Sequence, residues 1–355
     1  MKYPALLSIA DVMPSLDSYD SIIDVRSPSE FAEDHIPGAI NCPVLDDAER
    51  VEIGTMYKQV SPFDAKKKGA ALVSHNIGKH LETALADKPR DWKPLIYCWR
   101  GGNRSGAMAH VLARIGWPAV QLDGGYKEYR RQVNQVLAEL PARFRYIVIC
   151  GTTGSGKSRL LQTLVRHGAQ VLDLEQLASH RGSVLGHLPS EPQPSQKMFE
   201  SQLWQALRHF DPARPVYIES ESKKVGNLRV PDALMERMRA SECVSVQLSQ
   251  ADRVALLMED YAHFVAAPDA LNTQLDCLVT QYGHEKIGRW HQLALDGQMG
   301  PLVEELLADH YDPAYIRSIG RNFGRFSDAA VLEIAGVSEE AFDDAATRLL
   351  TTLNS

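Results

Sequence analysis

No run of apolar residues in this 355-residue chain approaches the ~20 that a membrane helix needs. Met1-Lys2-Tyr3-Pro4 leads into mixed sequence without an apolar signal core or a small-residue cleavage site. The expectation is a protein with no membrane span that stays in the cytoplasm. Cysteine is scarce: Cys42, Cys98, Cys150, Cys243 and Cys277 are scattered, odd in number and never in a C-x-x-C pair. That argues against a zinc site and a disulfide framework, and for a reducing compartment in which most of these thiols are buried. Internal repeats and low-complexity tracts are missing too. So is an excess of positive charge: the formal net charge is −7, whereas a polyanionic backbone demands cationic surface. Basic clusters stand at Lys66-Lys67-Lys68, Arg130-Arg131, Arg143 with Arg145, Lys223-Lys224, and Arg237 with Arg239. Singly, each reads as solvated surface.

What is present is a globular composition, 44% hydrophobic and 23% charged, in a chain long enough for two domains. Short apolar runs alternate with helical patterns, which predicts an α/β fold. Strands are expected at Ser21–Val25, Pro94–Cys98 and Ala119–Leu122, with a helix from Asn103 to Ile115 that Gly116 terminates. A charged helix then runs to about Leu140, where Pro141 stops it, and the domain boundary is placed at residues 140–144. Beyond it, Tyr146–Cys150 enters a glycine-rich turn and an amphipathic helix whose apolar face reads as Leu160, Leu161, Leu164 and Val165. Further strands at Ala169–Leu174, Pro215–Ile218 and Val244–Leu248 predict a doubly wound parallel sheet. From about Gln250 the pattern is wholly helical. The expected organisation is residues 1–140, residues 144–300, and a helical tail over 301–355.

Two local motifs carry chemistry. In Tyr97-Cys98-Trp99-Arg100-Gly101-Gly102-Asn103-Arg104-Ser105, a cysteine ends an apolar strand, two glycines follow, and a helix begins. Glycines let successive backbone amides curl round one point and form an anion-binding concavity at a helix N-terminus. With Arg100 and Arg104 close in sequence, that field favours a thiolate nucleophile. A buried cysteine beside an ordinary turn is the alternative that the loop alone leaves standing. Upstream, Asp24-Val25-Arg26-Ser27-Pro28-Ser29-Glu30-Phe31 followed by His35-Ile36-Pro37-Gly38-Ala39-Ile40-Asn41 resembles the signature of rhodanese domains. The resemblance places Cys98 at the family's active-site cysteine, implying a cysteine-bound sulfur or selenium held by the loop amides. Asp24, Arg26, Glu30 and His35 are expected to pin the strand, loop and helix together, and Cys42 to be core.

The second motif, Gly151-Thr152-Thr153-Gly154-Ser155-Gly156-Lys157-Ser158, fits G-x-x-x-x-G-K-[ST] between an incoming strand and an outgoing helix. Its amides should cradle phosphate, with Lys157 as a point charge and Ser158 as a hydroxyl for Mg2+. An acidic partner for that ion is sought at Asp173, Glu219 or Glu221. Glu219 ends an apolar strand and is the preferred candidate; a strand-end carboxylate facing solvent is the alternative. No tightly bound cofactor is expected.

The order of the two modules, with His180-Arg181-Gly182-Ser183, Pro194-Ser195-Gln196-Lys197, Phe199-Glu200, Val216–Ser222 and Gln281-Tyr282-Gly283, resembles the tRNA 2-selenouridine synthase family. The resemblance runs from about residue 5 to 300 and more weakly through the tail. It implies a rhodanese-like domain followed by a P-loop NTPase-like parallel-sheet domain with a helical C-terminal region. It also implies a transferase acting on tRNA with a wobble 2-thiouridine, S-geranylating it from geranyl diphosphate and then exchanging sulfur for selenium from selenophosphate. On that reading Cys98 serves selenation, as a perselenide carrier or by assisting displacement at C2, and Lys157 serves departing pyrophosphate. Arg100, Gly101, Gly102 and Arg104, or the phosphate loop, would take selenophosphate. Arg181 with His180 would contact diphosphate or RNA, or be helix-end surface. The clusters at Arg130, Arg131, Arg143, Arg145 and Lys223-Lys224 are the places to look for tRNA contacts, and a selenophosphate-supplying enzyme is an expected partner. A sulfurtransferase joined to a small-molecule kinase and a nucleotide-sensing regulator remain as rival readings.

Overall fold

The computed structural model describes residues 3–183, 185–187 and 191–353; the outermost ends of the expected segments, 1–2 and 354–355, lie outside the described residues. The chain divides into two compact units, Met1–Val136 with Pro194–Gln205, and Leu137–Gln193 with Ala206–Ser355.

In the first unit, β1 (Ala5–Leu7), β2 (Ser21–Asp24), β3 (Ala39–Asn41), β4 (Pro94–Tyr97) and β5 (Val120–Leu122) form a parallel sheet in the order β1-β5-β4-β2-β3. Every residue of the central β4 is buried, which is why it reads as a continuous apolar run rather than an alternating one. Ile23, Ile96, Met108, Leu112, Ile77 and Leu85 share the core that joins the sheet to its helices. The helix Asn103–Ile115 stops as expected, at Gly116 with φ +124°. The unit also takes in the segment 194–205 from beyond the phosphate loop. There Lys197 pairs with Glu33 at 2.6 Å, Glu200 pairs with Arg130, and Trp204 stands edge-on to Tyr129.

The second unit holds β6 (Tyr146–Cys150), β7 (Gln170–Leu172), β8 (Val216–Glu219), the two-stranded hairpin of β9 (Lys224–Val225) and β10 (Leu228–Arg229), β11 (Glu242–Gln247) and β12 (Ala330–Glu333). The main sheet is parallel in the order β12-β11-β6-β8-β7, with all five residues of β6 buried at its centre. β7 is shorter than expected because Asp173 leaves the strand to cap the helix Leu174–Leu177, its side chain accepting from the Gln176 amide at 2.8 Å.

The region beyond Gln250 is predominantly helical, with one addition. β12 pairs in parallel with β11, Val244 opposite Ala330, and the helix Glu339–Leu353 returns across the sheet. Phe342, Ala345, Ala346 and Leu349 of that helix pack with Leu160, Leu161 and Leu164. Val165 does not join them: it is exposed, and Thr163 takes its place on the buried arc. No described helix is long and apolar enough to cross a membrane.

Candidate functional site

Each unit carries one of the two motifs at the C-terminal end of its central strand, where open parallel sheets present their ligand sites. In the first unit the chain leaves β4 at Cys98, whose residue is only 4% exposed. Ser105, in the first turn of the helix Asn103–Ile115, donates its hydroxyl to Cys98 Sγ at 3.2 Å. The sulfur therefore sits where unpaired helix amides gather positive potential.

The loop is braced from behind. Tyr126 and Lys127 donate their amides to the carbonyls of Cys98 and Trp99, and Gln121 Nε2 donates to Gly101 O at 2.6 Å and to Ser105 Oγ at 3.2 Å. Gly125 makes this fit. At φ +56° it lies so close that a Cβ would stand 2.2 Å from Cys98 O and 2.5 Å from the Gly101 amide nitrogen. Gly102, Asn103 and Arg100 are exposed, leaving the outer rim of the loop open to an anion. Arg104 is turned aside: its guanidinium bonds Glu30 at 2.8 Å. Burial alone would raise the Glu30 carboxyl, but the hydrogen bond and charge of Arg104 outweigh it and hold that group below its usual range.

The remaining signature residues are structural. Arg26 and Asp24 form a buried pair at 2.6 Å, with Arg26 also donating to Asp34 O and lying 4.0 Å from the Tyr126 ring centre. His35 stacks on Phe31 and bonds its carbonyl. Cys42 is buried, which pushes its thiol up to about 11. Of the cations considered for RNA, Arg130 is half-buried and paired with Glu200, Arg131 is paired with Glu128, and Lys223 with Asp232. Arg130 is committed within the fold, whereas Arg131 and Lys223 remain largely exposed.

In the second unit, β6 runs into Gly151–Ser158 and the helix Lys157–Arg166. The loop is held by residues that the sequence pattern did not single out. Gly151 donates its amide to Tyr315 Oη at 2.7 Å. Arg253 donates to Thr153 O at 2.8 and 2.9 Å and to Asp312 at 2.6 and 3.0 Å. Lys157 Nζ donates to Gly151 O at 2.7 Å.

Ser158 Oγ donates to Glu175 Oε2 at 3.0 Å, and the Glu175 amide donates to Glu219 Oε1 at 2.8 Å. A Cβ on Gly182 would stand 2.8 Å from Glu175 Oε1 and 2.7 Å from Glu221 Oε1. Ser158, Glu175, Glu219, Gly182 and Glu221 thus form one patch, which excludes the reading of Glu219 as a solvent-facing carboxylate. Burial, followed by the charge of Glu221, raises Glu175 to about 8. Burial and the charges of Asp173, Glu175 and Glu221 raise Glu219 well above its ordinary value, and burial raises Glu221 and Asp173. Glu219 Oε2 is buried without a hydrogen-bond partner.

Glu175 was missed because it follows the capping Asp173 in a helix too short to announce itself. Arg181 donates to Asp260 O and lies 4.6 Å from the Tyr261 ring centre. Among the described residues no three His, Cys, Asp or Glu side chains are set to hold a metal by themselves. A Mg2+ ion bound through phosphate and water needs only one or two carboxylates, and Glu175, beside Ser158, with Glu221 would supply them in their ionised form.

Comparison with known proteins assigns both halves. Residues 9–132 match the rhodanese-like domain, and residues 144–284 match the tRNA 2-selenouridine synthase AAA domain. A tRNA 2-selenouridine synthase of Nitrosomonas europaea is 37% identical over 68% of this chain and 63% of its own length. Proteins of the same name are 33% identical in Shewanella denitrificans, over 83% of this chain and 87% of theirs, and in Alcanivorax borkumensis, over 85% and 90%. Among solved structures, an N-terminal domain of an ATP/GTP binding protein from Clostridium difficile 630 is 38% identical over 36% of this chain and 98% of its own, with a TM-score of 0.31. On the two domain matches and the length of the shared sequence, this chain belongs to the tRNA 2-selenouridine synthase family.

Proposed function

We propose that the protein exchanges the sulfur of a wobble 2-thiouridine in tRNA for selenium in two steps, the first served by the phosphate loop and the second by Cys98. The observation that carries this reading is the presence in one chain of two differently equipped anion cradles. One is centred on a sulfur nucleophile, with Ser105 donating to Cys98. The other is centred on the ammonium of Lys157 and the hydroxyl of Ser158.

In the first step the thiocarbonyl sulfur attacks the allylic carbon of geranyl diphosphate. The C–O bond breaks, an S–C bond forms, pyrophosphate departs, and the base loses its N3 proton. Ionising an allylic diphosphate requires charge stabilisation on the leaving group more than it requires a base. Loop amides and Lys157 supply it. Ser158 with Glu175 or Glu221 would hold Mg2+, which when bound neutralises further charge on the leaving group.

In the second step selenium adds at C2 and geranylthiol leaves with a proton, while the P–Se bond of selenophosphate is cleaved by water to phosphate. Selenium in selenophosphate is already at the selenide level, so this exchange needs no oxidant. A perselenide on Cys98 would need one. Cys98 is therefore assigned to assisting displacement at C2, with Arg100 and the exposed Gly102 rim receiving the phosphate.

The test is to incubate the protein with tRNA containing 2-thiouridine, supplying geranyl diphosphate and selenophosphate separately and together, and to analyse the nucleosides by mass spectrometry. A geranylated nucleoside with the first donor and 2-selenouridine with both are expected. Unchanged nucleosides from folded protein would transfer the assignment to a sulfurtransferase joined to a kinase.

A further inference from the structure

Beside the phosphate loop lies an apolar cavity, about 550 Å3 when the space open to solvent is included, that the motifs do not reveal. Its lining is drawn from Thr153 of the loop, from Leu257, Met258 and Tyr261, and from Leu302 and Val303 of the helix Met299–Leu306, among others. No lining side chain is charged or carries a carboxamide. The polar groups offered by side chains are the hydroxyls of Thr153, Tyr261 and Tyr311.

The phosphate loop itself forms part of the wall. A Cβ on Gly154 would stand 2.9 Å from Leu257 Cδ1, and Thr153 is fixed there by the two hydrogen bonds from Arg253 to its carbonyl. On another side Arg181 lies against Tyr261, while the next residue, Gly182, touches Glu175 and Glu221. Thr153 thus belongs at once to the phosphate loop and to the wall of the cavity.

We infer that the cavity seats the hydrocarbon chain of an allylic diphosphate, and that Val303 and its neighbours on the helix Met299–Leu306 limit the chain length accepted. This assignment rests on the diphosphate reading of the phosphate loop. Its wall is almost wholly hydrocarbon, as the seat of an apolar chain must be. A nucleoside would bring ribose hydroxyls and a base edge into a lining whose side chains offer three hydroxyls and no charge or carboxamide, at the cost of desolvating each polar group left unpaired. A hydrocarbon brings no such groups, and its affinity grows with the carbons removed from water.

The test is calorimetric titration of the full chain and its variants with inorganic pyrophosphate, dimethylallyl, geranyl and farnesyl diphosphates, and ATP. Geranyl diphosphate is expected to bind on the order of 100-fold more tightly than pyrophosphate. Val303 is only partly buried, so Val303→Phe fills the cavity without replacing a core residue. It should abolish most of that gain and leave pyrophosphate binding unchanged. Val265→Trp, at an exposed lining position, should do the same to a smaller degree and decides the matter if Val303→Phe does not fold.

A chain-independent affinity, or a gain that survives both substitutions, overturns the cavity assignment. So does ATP binding that is weakened by Val303→Phe. In those cases pyrophosphate binding that Lys157→Ala removes keeps the diphosphate reading intact. Pyrophosphate binding that is absent, or indifferent to Lys157→Ala, overturns both.

Discussion

Ser158 Oγ donates to Glu175 Oε2 at 3.0 Å, tying the last hydroxyl of the phosphate loop to a carboxyl that holds its proton up to about pH 8. The folded state thus retains a proton that the unfolded chain releases near the ordinary value of 4.5. By linkage, this group's contribution to stability is complete below that ordinary value and is lost as pH rises through about 8. Glu175→Gln removes the titration while keeping a neutral, hydrogen-bonding side chain. Thermal unfolding should therefore show the wild type losing ground to the variant between about pH 4.5 and pH 8, by on the order of 3 °C at the upper end. Parallel curves would show that Glu175 does not control this window. If the ionised carboxylate helps to hold Mg2+, affinity for the ion should rise over the same interval in the wild type and stay flat in Glu175→Gln.

Lys157 Nζ lies 2.7 Å from Gly151 O, folded over the loop that it would share with a diphosphate. Removing the ammonium removes transition-state charge stabilisation and little of the core. Lys157→Ala should lower the rate of S-geranylation by a factor on the order of 10²–10³, with the unfolding temperature near wild type. Geranyl transfer at the normal rate by this variant would refute the role of the loop.

Gly125 and Cys98 offer a separation of the two steps. A methyl group on Gly125 would strike Cys98 O at 2.2 Å, so Gly125→Ala must push the cysteine loop out of place. Misplacement by about 1 Å commonly costs on the order of 10² in rate. Starting from the geranylated nucleoside, exchange to 2-selenouridine should fall by at least that factor in Gly125→Ala and vanish in Cys98→Ala. S-geranylation should persist in both. Full selenium exchange by Cys98→Ala would remove the cysteine from the mechanism.

The parts legible in the sequence were those governed by local spacing. The strand–cysteine–glycine–helix and strand–phosphate-loop–helix units were readable because each forms from consecutive residues whose amides and glycines have one sensible geometry. The buried β4 and β6 were readable because an unbroken apolar run has few other uses. What escaped depended on contacts far apart in the chain. β12, reading Ala-Val-Leu-Glu, carries almost no local strand signal and is a strand because β11 presents an open edge to it. Tyr315 and Arg253 brace the phosphate loop from 164 and 100 residues away. Arg104, expected at the anion loop, is drawn off by Glu30, a pairing that only the folded approach of two segments decides. The apolar cavity gathers its lining from several helices, each of which reads as an ordinary amphipathic face.

Phe342 shows what that long-range support does for the site. It is fully buried, and its ring edge lies so close to the phosphate loop that a Cβ on Gly156 would stand 2.6 Å from Cζ. Gly156 has φ +84°, a backbone conformation that glycine supplies without strain, and the ring fills the space that a side chain would take. Phe342→Ala should therefore cost about 3–5 kcal/mol of unfolding free energy, the usual range for deleting a buried aromatic ring. It should also weaken pyrophosphate binding by about tenfold, because the Gly156 backbone loses its backing. Phe342→Leu, which retains most of the volume, should lie between the wild type and Phe342→Ala on both scales. Urea unfolding and calorimetric titration of the same preparations check the pair of effects. A stability loss with unchanged pyrophosphate affinity would mean that Tyr315 and Arg253 hold the loop in shape without help from the C-terminal helix.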